Sequence, residues 1–204
     1  MSPRTSVDAL WVAALVSEVA PLVRLLEQPR LLSHRLCVGR LGDRRIAVLR
    51  CGVGPERAER RTREALARLE ASTVWSLGSC GALVDDLSVG EVVTADAAMG
   101  LGRRWELPPV DGLRRGTVLT VDTPIFDADR RAAAADLGAL VCEMEAAAVV
   151  TCHPRVRVLK VVSDRAGAEP DVVFARPRAL AVARFHRRVE RIMREALLPV
   201  LRQA

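Results

Sequence analysis

The chain has 204 residues, 50% hydrophobic and 27% charged, a balance that can bury one sizeable core and rules out disorder for most of its length. No apolar run approaches the roughly 18 residues of a membrane-spanning helix, and the opening Met1-Ser2-Pro3-Arg4-Thr5-Ser6 lacks the apolar stretch of a signal peptide. The net charge of +6 comes mostly from arginines interleaved with acids, as in Glu56-Arg57-Ala58-Glu59-Arg60-Arg61; with 3% aromatics there is little to stack bases on, so no nucleic-acid partner is expected.

In chain order, Val7 to Leu15 reads as a buried strand. Glu18 to Glu27 carries Val19, Leu22, Val23 and Leu26 at helical spacing. Leu36 to Leu41 and Arg45 to Cys51 read as a strand pair turned at Gly42-Asp43. Cys51-Gly52-Val53-Gly54-Pro55 is a glycine turn, and Pro55 suits the first turn of an arginine-rich helix over Glu56 to Leu69, with Ala58, Ala65, Leu66 and Leu69 inward. Ser72 to Leu77 is the next strand, ending in Gly78-Ser79-Cys80-Gly81, and Glu91 to Ala97 another. Gly100 to Gly116, rich in Gly, Pro and Arg, reads as a surface loop.

Gly116 to Val121 is a strand and Asp127 to Leu137 a helix. Leu140 to Cys142 is a short strand, and Glu143 to Thr151 an alanine-rich helix. Val156 to Val162 is a continuous apolar strand, Gly167 to Pro177 a loop, and Arg178 to Leu201 the closing helix. That helix carries an apolar stripe of Leu180, Val182, Phe185, Val189, Ile192 and Leu197, with its arginines expected in solvent. Alternating helices and non-alternating apolar strands predict a single α/β domain over residues 1–204 around a central mixed sheet. Ligands of such sheets bind where loops leave the strand ends.

Cys37, Cys51, Cys80, Cys142 and Cys152 form no CxxC pair and stand mostly in apolar surroundings, which predicts reduced, buried thiols in a cytoplasm. His34, His153 and His186 are far apart, so no zinc site is expected. Four spots combine a buried strand with a polar or glycine-rich exit: Glu18, Gly78 to Gly81, Glu143-Met144-Glu145, and Ser163-Asp164. A carboxylate leaving an apolar strand is poorly solvated, so its pKa can rise toward neutrality, as acid–base work requires. Each spot also has a plainer reading. The glutamates suit first helical turns, Met144 a core gap, Ser163-Asp164 a cap or turn, and Gly78 to Gly81 a tight turn.

Taken together, these segments resemble the nucleoside phosphorylase/nucleosidase superfamily over roughly residues 7 to 200. The resemblance rests on Ala13-Ala14-Leu15-Val16-Ser17-Glu18-Val19, Gly52-Val53-Gly54-Pro55, Leu77-Gly78-Ser79-Cys80-Gly81-Ala82-Leu83, Val89-Gly90-Glu91-Val92-Val93, Glu143-Met144-Glu145-Ala146-Ala147-Ala148 and Val162-Ser163-Asp164, in family order. Within the superfamily the chain is most similar to the 5′-methylthioadenosine/S-adenosylhomocysteine nucleosidases, whose relatives include futalosine hydrolases and phosphorylase-like enzymes of hopanoid synthesis. The resemblance implies a three-layer α/β/α fold and cleavage of the bond between a purine and ribose.

It further implies that Glu18 activates the attacking water and Asp164 protonates the purine at N7. Ser79 and Gly81 lie in the glycine loop beside the water or phosphate subsite. Met144 and Glu145 hold the ribose, with Glu143 beside them. Pro124, Ile125 and Phe126 clamp the base, and Ser163 adjoins the acid. Phosphorylases of the bacterial trimer/hexamer type place an arginine where this chain has Ser76, and an early glycine loop where it has Ala14 to Ser17. Both absences favour hydrolysis of an adenosine-type nucleoside over phosphorolysis. A phosphate-dependent phosphorylase, including the hopanoid type, and a non-catalytic nucleoside-binding protein are the alternatives. No metal or organic cofactor is implied, the only ligand is a small nucleoside, and a cytoplasmic homodimer is expected.

Overall fold

The computed structural model describes residues 4–167 and 178–203, with side chains of the second stretch from 182 on. In chain order the elements are β1 (Thr5–Ala13), α1 (Val16–Leu25), β2 (Glu27–Ser33), β3 (Leu36–Leu41), β4 (Arg44–Arg50), α2 (Pro55–Leu66), β5 (Leu69–Ala82) and β6 (Val92–Gly100). Then come β7 (Arg103–Glu106), β8 (Arg114–Thr120), α3 (Ala128–Asp136), β9 (Ala139–Glu143), α4 (Ala146–Val150) and β10 (Val156–Arg165). The chain ends in α5 (Arg178–Ile192), a π-helical turn (Met193–Leu197) and α6 (Leu198–Gln203).

All these strands join one mixed sheet in the order β10-β6-β8-β9-β5-β1-β4-β3-β2, with β7 on β6. A further pairing of β10 with β5 closes β10, β6, β8, β9 and β5 into a ring. From it β1, β4, β3 and β2 lead away as an open wing. Apolar side chains cover both faces. Ala58 and Ala65 of α2 and Ala146, Ala148 and Val149 of α4 pack with Val12, Val74 and Val158. Leu22 of α1 and Val189 and Ile192 of α5 pack with Trp11, Leu77 and Leu159 on the other. The central strands β1, β5 and β10 are buried from both sides, which is why they read as apolar runs.

Several boundaries differ from the sequence expectation. Glycines 78 and 81 do not end β5 in a turn. The strand runs on through them beside β10, with Lys160 opposite Gly78 and Asp164 opposite Gly81. A register shift between Val162 and Asp164 makes Ser163 a bulge, neither cap nor turn. Bulges of this kind re-aim side chains, and here the bulge falls at the candidate acid. Gly100 to Gly116 is not only loop. It holds β7 and the start of β8, and β6 turns into β7 through Leu101 and Gly102, both at positive φ, as a tight hairpin requires.

The edge strand β2 has no alternating apolar pattern to betray it, and an edge position tolerates its Pro29. Glu143 ends β9, and the helix after it begins only at Ala146. Leu69 opens β5 and does not close α2. The predicted loop from residue 168 onward, and the side chain of Leu180, lie outside the described residues. Of the stripe on α5 and the turn after it, Val189, Ile192 and Leu197 are buried while Val182 is exposed. All five cysteines are free, and Cys152 alone is half-buried. No helix among the described residues is long and apolar enough to cross a membrane.

Candidate active site

The carboxyl ends of β1 and β5, the far ends of β9 and β10 and the face of α5 surround one cavity of about 280 Å³. Glu18, Ser79, Gly81, Pro124, Ile125, Phe126, Glu143, Met144, Glu145, Ser163 and Asp164 all line it. These residues come from five separate stretches of chain, so the fold brings together every candidate site residue singled out from the sequence. Among the described residues, no cluster of three or more His, Cys, Asp or Glu side chains is arranged to hold a metal ion.

Glu18 sits in the first turn of α1 and is buried. Its Oε2 accepts from the backbone N–H groups of Ala14 and Leu15 at 3.0 and 2.9 Å. Its Oε1 accepts from Ser79 twice, from N–H at 2.8 Å and from the Oγ hydroxyl at 2.7 Å. Four converging donors call for an acceptor-only group, which a carboxylate is. Three of them are backbone and fixed. Only the Ser79 hydroxyl can rotate away and yield its place.

The approach of Glu18 to β5 needs Gly78. Its φ is +143°, and a Cβ there would stand 2.8 Å from Glu18 Oε1. Gly78→Ala is therefore expected to displace the carboxylate from Ser79. The cost is about 1–3 kcal/mol of stability and, through lost alignment, on the order of a hundredfold in turnover. A thermal midpoint measured beside kcat checks both. Wild-type turnover in this variant would mean that the Glu18–Ser79 contact is dispensable.

Across the cavity, Glu145 precedes α4 and its Oε1 accepts from the Gly54 N–H at 2.8 Å. Gly54 has φ +101°, so the glycine turn before α2 is shaped to offer this donor. Burial first, and Glu143 second, push the Glu145 carboxyl up to about 8. Glu143 lies under it and is saturated. Its Oε1 accepts from Thr120 Oγ1 at 2.6 Å and its Oε2 from the Glu145 N–H at 2.9 Å, while the Ala146 N–H donates to both oxygens. Lys160 Nζ stands 2.8 Å from Oε2, both side chains buried. Burial alone would lower the lysine, but Glu143, Glu145 and Glu18 outweigh it and hold the ammonium above its usual range.

At the other end, Asp164 follows the bulge. The Ser163 hydroxyl lies 3.1 Å from the Cys80 carbonyl and 2.5 Å from Asp164 Oδ2. One hydroxyl hydrogen cannot serve both acceptors at once, so the Ser163 hydroxyl can turn between the Cys80 carbonyl and Asp164. Gly81 gives room here too, since a Cβ on it would stand 3.2 Å from Asp164 Oδ1. Burial raises the neighbouring Cys80 and Cys142 thiols, Cys142 to about 12, which keeps both neutral. Pro124, Ile125 and Phe126 form the wall beside them, pinned where the Gly167 N–H donates to the Ile125 carbonyl at 3.1 Å.

Sequence reasoning overlooked three contributors. Phe185 and Arg188 of α5 line the cavity, and Arg188 donates to the Ser163 carbonyl at 3.3 Å. The arginines of this helix are therefore not all in solvent, although Arg184, Arg187 and Arg191 are. Nothing local marks which face of a long helix will cover a cavity. Lys160 did leave a signal, because a charge inside an apolar strand must find a partner.

Residues 9–111, half of the chain, match the family model described as Phosphorylase superfamily. Compared with the curated proteins by sequence, the chain matches none. Among solved structures it is similar to a 5′-methylthioadenosine/S-adenosylhomocysteine nucleosidase from Colwellia psychrerythraea 34H in complex with adenine. There the TM-score is 0.78 at 20% identity, over 98% of this chain and 94% of that one. The corresponding nucleosidase from Neisseria meningitidis, in complex with methylthio-immucillin-A, gives 0.71 at 21%, over 93% and 99%. The futalosine hydrolase of Helicobacter pylori strain 26695 gives 0.74 at 16%, over 98% of each chain. At these identities the likeness is one of fold.

Proposed function

This chain belongs to the phosphorylase superfamily, and from that premise we propose that it cleaves the bond between a purine and ribose by hydrolysis. The substrate is a small adenosine-type nucleoside such as 5′-methylthioadenosine or S-adenosylhomocysteine. The observation that carries this reading is the meeting of Glu18, Glu145 and Asp164 on one cavity, although they stand far apart in the chain. Breaking an N-ribosidic bond builds positive charge on the sugar and negative charge on the base. Asp164 gives its proton to the base and removes the second. Glu145, hydrogen-bonded to the ribose hydroxyls, stabilises the first.

Water enters beside Ser79, whose hydroxyl swings off Glu18 and leaves Oε1 to take the water's proton. Met144 packs against the ribose, and Pro124, Ile125 and Phe126 hold the base over Asp164. A carboxyl acid and a carboxylate base on opposite sides of the scissile bond parallel the logic of glycoside hydrolysis. Two solved structures of the same fold are of nucleosidases, with adenine or methylthio-immucillin-A bound, which supports an adenine-type ligand. We further infer a cytoplasmic homodimer. Val16 and Leu31, 57% and 73% exposed, offer apolar surface for a second copy.

Phosphorolysis would need a cation to grip phosphate. The position at which the bacterial phosphorylases place an arginine is Ser76, buried and with a hydroxyl that meets no hydrogen-bond partner among the described residues. Free-base release from a panel of purine nucleosides is therefore expected to run at the same rate with and without phosphate, giving free ribose or its 5′-substituted form. Chromatography of base and sugar decides it. Release that stops without phosphate would replace hydrolysis by phosphorolysis, and no release at all would leave only nucleoside binding.

A further inference from the structure

Lys160 is the only lysine in the chain; every other basic side chain among the 31 is arginine. It is also one of the most buried residues, 1% exposed in the middle of β10. Its Nζ meets Glu143 Oε2 at 2.8 Å, and Glu143 in turn accepts from the backbone N–H of Glu145. On the backbone, Lys160 stands opposite Gly78 of β5 and Val93 of β6 in register.

We propose that Lys160 is a positioning residue that, through Glu143, keeps Glu145 in place and eases its ionisation for the sugar. The inference rests on the reading of Glu145 as the ribose-binding group. A neutral Glu145 would be a poorer partner for ribose hydroxyls and would not oppose positive charge on the ring. Left with Glu143 alone, Glu145 would hold its proton more tightly, because like charges in a desolvated site cannot both ionise.

Among the described residues, the titratable groups facing this cluster come from four neighbouring parts of the fold and the turn before α4, while β6 offers only apolar Val93. They are Glu18 of α1, Glu143 of β9, Glu145 before α4, and the thiols of Cys51 after β4 and Cys80 of β5. Arg61 of α2 donates to the Cys51 carbonyl. Burial holds both thiols neutral. The cluster is therefore three carboxyls around one ammonium, and removal of the ammonium must raise the affinity of the carboxyls for protons.

The test is the carboxyl ¹³C titration of Glu145 in the full chain, assigned through Glu145→Gln, together with the low-pH limb of kcat/KM. Lys160→Met is expected to raise the Glu145 midpoint by about one pH unit or more and to carry the activity limb upward with it. Lys160→Arg keeps a cation beside Glu143 and is expected to leave the midpoint near the wild-type value. A purely structural lysine would lower activity evenly across pH and leave the midpoint alone; a folded Lys160→Met with an unmoved midpoint overturns the proposal.

If Lys160→Met does not fold, Glu143→Gln is compared with the double variant Glu143→Gln/Lys160→Met, which leaves neither partner of the ion pair charged. The Glu145 midpoint is expected to be higher in the double variant than in Glu143→Gln; equal midpoints overturn the proposal. The titration needs no substrate. Should the wild type cleave no nucleoside yet show this dependence on Lys160, the hydrolase reading fails while the control of Glu145 by Lys160 stands.

Discussion

Asp164→Asn is expected to remove nearly all release of purine while leaving the protein as stable as the wild type. Asparagine has the same shape and can keep the contact with the Ser163 hydroxyl, 2.5 Å from the carboxyl in the native chain. What it cannot do is hand over a proton. A positioned general acid contributes about a hundredfold to ten-thousandfold, so kcat should fall by that factor with a small change in KM. The cleanest check pairs a purine nucleoside with a riboside whose leaving group needs no proton, such as a nitrophenolate. The variant should fail on the first and remain much closer to wild type on the second. Equal losses on both would take the acid role away from Asp164.

Glu18→Gln should be as damaging to turnover and, unlike the previous change, should also unsettle the fold. The carboxylate accepts from two N–H groups at one oxygen and from Ser79 at the other. A glutamine must point its own NH₂ at one of these pairs, so donor faces donor whichever way the amide is turned. Leaving buried donors unmatched costs about 1–3 kcal/mol, or several degrees in the melting midpoint for a chain of this size. Loss of the base costs about a hundredfold or more in kcat. Substrate affinity, read by calorimetry with a non-cleavable nucleoside analogue, should survive. A variant with normal turnover would show that the water needs no base at this position.

The two predictions differ because the two carboxyls are built differently, and that difference was only partly legible in the amino-acid order. Glu18, Ser79, Glu145 and Asp164 could each be picked out because a polar residue follows a buried strand or a glycine. Their convergence is set by strand order, which no local pattern states. The glycines of β5 looked like a turn because turns are their commonest use, yet here they let two parallel strands run side by side and let Glu18 approach. Lys160 was visible as a lone lysine, but an apolar run drew attention away from it. β2 and β7 lie at edges with few buried side chains, so burial left no imprint on their composition. Phe185 and Arg188 reach the cavity only through the docking of a helix far down the chain.

The ring of strands has a consequence for how the molecule comes into being. Among the described residues β10 is the last strand in chain order, and it pairs with both β5 and β6. Until it threads between them, the earlier strands form an open sheet with exposed edges, and three of the groups that would meet a nucleoside have no common floor. Such long-range parallel pairing is slow to nucleate, and its unpaired edges invite association with other chains in the meantime. A shared floor for these groups thus depends on the docking of β10, the strand furthest along the chain among the described residues.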